Sequence, residues 1–143
     1  MEKPLPSYFD GISTGKEQMD FDMILNYLSG EAYWAKGRTP EQLQKIMDSS
    51  LCFGIFENGR QAGFARVVTD YVTIAYLADV FVLSEFRGKG YGRKLMQYVL
   101  NYPDFEDVRK WLLMTKDAHL LYERFGFRAL QKPEMAMEMV RYL

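Results

Sequence analysis

A chain of 143 residues, 48% hydrophobic and 26% charged, is long enough to bury a core and too apolar to be disordered. A net charge of −1 argues against a nucleic-acid-binding surface, one cysteine excludes an internal disulfide, and one histidine excludes a multi-histidine metal centre. No apolar run reaches membrane-spanning length and no signal peptide is visible, so a metal-free cytoplasmic protein in a single domain, 1–143, is expected.

The opening residues are rich in proline and glycine and predict one short strand near Gly11–Thr14. Asp20 opens a helical pattern that fades near Gly30. Thr39-Pro40-Glu41-Gln42 is a capping box with proline at the first helical position, and it starts a second helix to about Ser49. Leu51–Glu57 and Gln61–Thr69 read as two strands of a hairpin turned at Asn58-Gly59. Val72–Leu83 is a nearly continuous apolar run, which suits a central strand covered on both faces. Gly90–Asn101 is helical, with Leu95, Met96, Val99 and Leu100 at core spacing, and Tyr102-Pro103 ends it. Trp111–Thr115 predicts a short strand and Ala118–Phe125 a short helix stopped at Gly126. From Phe127 to about Tyr142 the pattern returns to strands.

The most telling stretch joins the central strand to the third helix. Val80, Phe81 and Val82 run through Leu83-Ser84-Glu85-Phe86 into Arg87-Gly88-Lys89-Gly90-Tyr91-Gly92-Arg93. Glycines at 88, 90 and 92 let the backbone approach a ligand closely. The first amides of the helix have no partner within it, and the helix dipole stands behind them. Arg87, Lys89, Arg93 and Lys94 add positive charge, so the turn is an anion site suited to phosphates. Neither the P-loop string nor the third glycine of the dinucleotide fingerprint is present.

What remains, Arg-x-x-Gly-x-Gly at 87, 90 and 92, resembles the pyrophosphate-binding motif of the GNAT superfamily of N-acetyltransferases. A second segment, Ala118 through Tyr122 to Gly126-Phe127, is similar to that family's closing Ala-x-x-x-Tyr-x-x-x-Gly-Phe pattern. The element order β-α-α-β-β-β-α-β-α-β-β extends the resemblance over nearly the whole chain. It implies an α/β (α+β) acyl-CoA N-acyltransferase fold, with a central mixed sheet of about six to seven strands flanked by four helices. It also implies an acetyltransferase using acetyl-CoA as co-substrate, with no metal. One departure is Thr115, where the family often carries asparagine seven residues before the tyrosine.

On this resemblance, backbone at Val80–Val82 pairs with the pantetheine arm, and the amides of Gly88 to Arg93 hold the pyrophosphate. A strand N–H facing the acetyl carbonyl stabilises the oxyanion, an interaction commonly worth a few kcal/mol. The amine attacks directly, so Cys52, in the apolar run Leu51-Cys52-Phe53, is not needed as a nucleophile. Tyr122 matches the family's tyrosine that protonates the leaving sulfur. A lysine-like amine also needs a base, because its deprotonation at neutral pH costs roughly 4–5 kcal/mol. Asp79 interrupts the apolar strand, where an unpaired carboxylate is costly. It is therefore either that base or the buried partner of a loop or an arginine such as Arg66. Asp117 reads as a helix N-cap and His119 as a surface residue.

The family's acceptor pocket is floored by the loop between the first two helices, here Glu31 to Arg38. Tyr33 and Trp34 are candidates to line it, and Lys36 or Arg38 to bind a carboxylate, although packing and a solvated face are equally open readings. The acceptor expected is a primary amine on a small metabolite. A protein amine, or a non-catalytic acetyl-CoA-binding module, are the alternatives. Partners include neither nucleic acid nor membrane, and a homodimer is left open.

Overall fold

The computed structural model describes residues 11–141. Its sheet runs in the order β1 (Ile12–Ser13), β2 (Leu51–Glu57), β3 (Arg60–Thr69), β4 (Ala75–Val82) and β5 (Trp111–Leu113). The first four strands are antiparallel neighbours, and β4 and β5 are parallel. Four α-helices accompany them among the described residues: α1 (Phe21–Asn26), α2 (Pro40–Asp48), α3 (Tyr91–Leu100) and α4 (His119–Glu123).

Local chemistry explains most boundaries. The Thr39 hydroxyl accepts from the Gln42 amide at 3.2 Å and the Gln42 side chain accepts from the Thr39 amide at 2.9 Å, completing the capping box of α2. Asn58 and Gly59 both have positive φ, 50° and 80°, the twist a two-residue hairpin needs between β2 and β3. The strand expected from Val72 begins only at Ala75, because Asp70 accepts the amides of Val72 and Thr73 and winds those residues into a turn. After α1 the chain continues as a π-helical turn, Tyr27–Glu31, which leads into the loop 32–38.

Two apolar layers cover the sheet. Ile24, Leu28, Leu43 and Met47 of the first two helical segments pack with Cys52, Phe64 and Phe81 on one face. On the other face Leu95, Met96 and Val99 of α3 meet Phe53, Ala65, Val67, Ala75 and Leu77. Phe53 is fully buried and takes edge contacts from Tyr98, Tyr102 and Phe105. Its burial is worth about 1.5–3 kcal/mol, with about 0.5–1.5 kcal/mol more for each well-placed aromatic pair.

A bulge in β4 decides where the polar chemistry lies. Phe81 pairs with Phe64, but Ala78 pairs with Arg66, so β4 holds one residue more than β3 between these pairs. Asp79 sits there with φ 54°, a left-handed conformation uncommon outside glycine. The extra residue switches the alternation. Ala75 and Leu77 face α3 before the bulge, Val80 and Val82 face it afterwards, and Phe81 turns to the α1–α2 layer.

The strands expected after Phe127 do not form. Among the described residues the chain beyond α4 has only a 3-10 turn, Pro133–Met135, and the sheet has five strands instead of six to seven. The expectation at Tyr142 lies outside the described residues. The segment 128–141 is exposed throughout and joins no strand among the described residues.

Candidate active site

The parallel pair β4–β5 is short. Its register covers Ala75–Trp111, Tyr76–Leu112 and Leu77–Leu113 and goes no further, while β4 continues to Val82. Beyond Leu77 the β5-facing edge of β4 has no strand beside it among the described residues. Backbone polar groups strongly prefer a partner, so such an opening suits an extended ligand that supplies one. Val80, Phe81 and Val82 lie along it. The Val82 carbonyl is already engaged, because Arg87 Nε donates to it at 3.0 Å.

Directly after the opening comes the glycine turn. Gly88 and Gly90 have φ 83° and 81°, and a Cβ added at either would meet open space. Glycine is therefore required by backbone conformation, and the space above it is left clear. Gly90 caps α3 without a side-chain acceptor. The first backbone amide of this stretch with a carbonyl partner is that of Lys94, which donates to Gly90 at 3.0 Å. Among the described residues the amides from Gly88 to Arg93 have no carbonyl partner, which suits an anion.

The basic side chains divide. Arg87 also donates from Nη2 to the Tyr27 hydroxyl at 3.1 Å, so it fastens the turn to the strand end and to the first helical segment. Lys89 pairs with Glu57 at 3.0 Å, and the Tyr91 hydroxyl donates to the same carboxylate at 2.6 Å. The Tyr91 bond and then Lys89 hold the Glu57 carboxyl below its ordinary range, and the Glu57 bond pushes Tyr91 up. Arg93 borders a cleft of about 260 Å³ between α3 and α4, with Gln97, Leu121, Arg124 and Phe125. Glu57 was not singled out in the sequence, where a carboxylate ahead of an Asn-Gly turn looks like any exposed charge.

Asp79, at the bulge, is fully engaged. Its side chain is 1% exposed; Oδ1 accepts from Trp34 Nε1 at 2.6 Å, and Oδ2 accepts from Arg38 Nη1 at 2.8 Å and Arg66 Nε at 2.5 Å. Arg66 also donates to Ser50 at 3.2 Å. Burial pushes the Asp79 carboxyl up, but Arg66, Arg38 and Trp34 outweigh it and hold it below its ordinary range. Of the two readings open for Asp79, this geometry matches the buried partner, with Arg66 as anticipated. A carboxylate gripped by two guanidiniums is a poor proton acceptor near neutral pH.

The same pairing revises the loop 32–38. Arg38 is engaged by Asp79, although one carboxylate shared with Arg66 leaves the cluster a net positive charge. Trp34 is anchored by its indole nitrogen, yet the residue remains 42% exposed and Tyr33, 45% exposed, stands edge-on to it. The Tyr33 hydroxyl accepts the Lys116 amide at 2.8 Å, tying this loop to the segment before α4. No sequence signal announced that link.

Tyr122, on α4, is half-buried against Phe127. Burial, with the neighbouring Tyr33 phenol, pushes its hydroxyl up, so it stays protonated. Asp117 does not cap α4; the Thr115 hydroxyl accepts the Ala118 amide at 3.1 Å instead. Cys52 is buried, and desolvation pushes its thiol up to about 11, which makes it inert.

The β4–β5 pairing thus ends beside a glycine turn with unengaged amides, and Tyr122 lies on α4. The sequence profile of the Acetyltransferase (GNAT) family matches residues 21–127, and the chain belongs to that family of acyltransferases. A protein of Gibberella zeae that bears the name of an acetyltransferase is 31% identical over 82% of this chain and 78% of its own. The crystal structure of a GNAT-family protein from Xanthomonas campestris pv. campestris is 46% identical over 92% of both chains, with a TM-score of 0.88. Glucosamine-6-phosphate N-acetyltransferase from Arabidopsis thaliana, at 20% identity and a TM-score of 0.64 over 92% of this chain and 96% of its own, shares the fold alone.

Proposed function

We propose that this acetyltransferase takes its acetyl group from acetyl-CoA and passes it to a primary amine on a small metabolite by direct attack. The observation that carries the reading is the opening of β4 from β5 immediately beside a turn whose amides, Gly88 to Arg93, are unengaged. The edge at Val80 and Phe81 would pair with the amides of the pantetheine arm. The turn would hold the pyrophosphate, and Arg93 with Arg124 would add charge beside it.

The remaining roles follow from position. Tyr122 stays protonated and would donate to the departing sulfur. The exposed rings of Tyr33 and Trp34 would form the wall against which the acceptor rests. Asp79 is a positioning residue: it fixes Trp34 and Arg38 to the bulge and leaves deprotonation of the amine to a water-mediated route. A small acceptor is favoured over a protein amine because Tyr33, tied to Lys116, closes the loop towards α4.

Calorimetric titration of acetyl-CoA and free coenzyme A into the wild type and Gly90→Glu tests this. Micromolar binding that Gly90→Glu abolishes supports the site, and a panel of small amines then separates an enzyme from a binding module. Absence of binding to the wild type would defeat the reading.

A further inference from the structure

Asp79 closes one side of a cluster and leaves the other side open. Two guanidiniums, Arg38 and Arg66, share its single carboxylate, so one positive charge is uncompensated. Among the described residues no second carboxylate pairs with either arginine. The chain as a whole has a net charge of −1, so this surplus is local. An unbalanced charge in a half-enclosed place is costly, and a counter-ion relieves that cost.

The open side can be located atom by atom. Among the described residues Arg38 donates to a protein acceptor from Nη1 alone, and Arg66 from Nε and Nη1. No buried side-chain nitrogen among these residues lacks a partner. Nε and Nη2 of Arg38, and Nη2 of Arg66, therefore reach the surface, although the two side chains are only 15% and 14% exposed. A guanidinium held in place on one side and open on the other presents a fixed planar fork, which suits a carboxylate or a phosphate.

The surroundings are those of the acceptor wall. Trp34 donates to the same carboxylate from Nε1, which brings its exposed ring beside Arg38. Lys116 Nζ lies 5.6 Å from the centre of the Tyr33 ring and adds a further cation to that wall. The glycine turn is at the other end of the opening. Asp79 stands before Val82 by about 10 Å of strand, at roughly 3.3 Å per residue, and the turn begins only after Val82. A pyrophosphate held at Gly88 to Arg93 does not supply the missing counter-ion.

We propose, resting on the acetyl-transfer site at Val80 and Phe81, that Arg38 and Arg66 select an acceptor carrying an anionic group, carboxylate or phosphate, a few bonds from its amine. Asp79 directly precedes that edge, so an anion on the outward nitrogens of Arg38 brings the amine towards the acetyl group. Trp34 and Tyr33 flank the atoms between. Arg38 makes the contact, and Arg66 keeps Asp79 from cancelling its charge.

Initial rates with acetyl-CoA should be compared for two matched pairs, 3-aminopropanoate against propylamine and phosphoethanolamine against ethanolamine. In the wild type the anionic member of at least one pair should have the higher kcat/KM, by roughly ten- to a hundredfold, the scale of a charge-assisted hydrogen bond. The pair that responds tells a carboxylate from a phosphate. Arg38→Gln leaves Arg66 balanced against Asp79, so circular dichroism and acetyl-CoA affinity should match the wild type while the preference vanishes. Arg38→Lys keeps the charge without the fork and should retain part of it. A wild type that binds acetyl-CoA but takes the neutral members as readily, or takes neither anionic amine, overturns the proposal and leaves the acetyltransferase reading standing. A preference that survives Arg38→Gln overturns it too, since another group then reads the charge. Failure to bind acetyl-CoA at all would sink both readings together.

Discussion

Two polar regions meet at the end of β4, and they are built on opposite terms. Around Asp79 every oxygen and its donors are paired, with Trp34, Arg38 and Arg66 converging on one buried carboxylate. A few residues later, from Gly88 to Arg93, the amides and the space above them are left open. Satisfied polar groups hold a shape, and unsatisfied ones at the surface wait for a ligand. The difference separates scaffold from site more reliably than charge does, since both regions are rich in arginine or lysine.

The comparison breaks most violently at Asp79. Asp79→Ala strands Arg38 and Arg66 without their carboxylate, and losing one member of a buried pair costs about 3–5 kcal/mol. Chemical denaturation should show that loss. Because the folded-state carboxyl lies below its ordinary range, its stabilisation is complete above pH ~4 and fades as the pH falls through the lower value. The stability gap between wild type and Asp79→Asn should therefore be full at neutral pH and narrow in acid. The pH–rate profile of Asp79→Asn should keep its shape; a lost limb near neutrality would restore Asp79 as the base.

Smaller effects sharpen the other side. Tyr122→Phe should lower kcat by roughly a hundredfold, the low end of general-acid contributions, while calorimetry finds acetyl-CoA affinity unchanged. Equal losses in affinity and turnover would make Tyr122 a packing residue. Trp34→Ala should raise the acceptor KM by roughly tenfold, the scale of one aromatic contact, with little change for acetyl-CoA. Smallest is Glu57→Gln, which frees Lys89 beside the turn. It should tighten acetyl-CoA less than about tenfold, and only at low ionic strength, where exposed charges are weakly screened.

Much of the molecule was legible because its signals are local. The capping box at Thr39, the Asn58-Gly59 hairpin and the glycine turn are each decided by neighbours in the chain, and each formed as read. Asp79 was harder. Its cost if unpaired was evident, but the run is apolar on both sides of Asp79, so no periodicity announced the bulge that sends Phe81 to the opposite layer. Tyr33 reaching Lys116 is a contact between distant segments and has no signature in either. The C-terminal strands failed for a related reason: an alternating segment specifies a strand but not the sheet it joins.

One consequence of the core concerns how the protein can be watched. Its single thiol, Cys52, is buried under the first two helical segments and pushed up to about 11. A thiol reagent then reacts only with molecules whose α1–α2 layer has opened. The labelling rate of the native chain becomes a clock for rare opening events. Ligands that bind at the split sheet should slow that clock in proportion to how firmly they hold it shut.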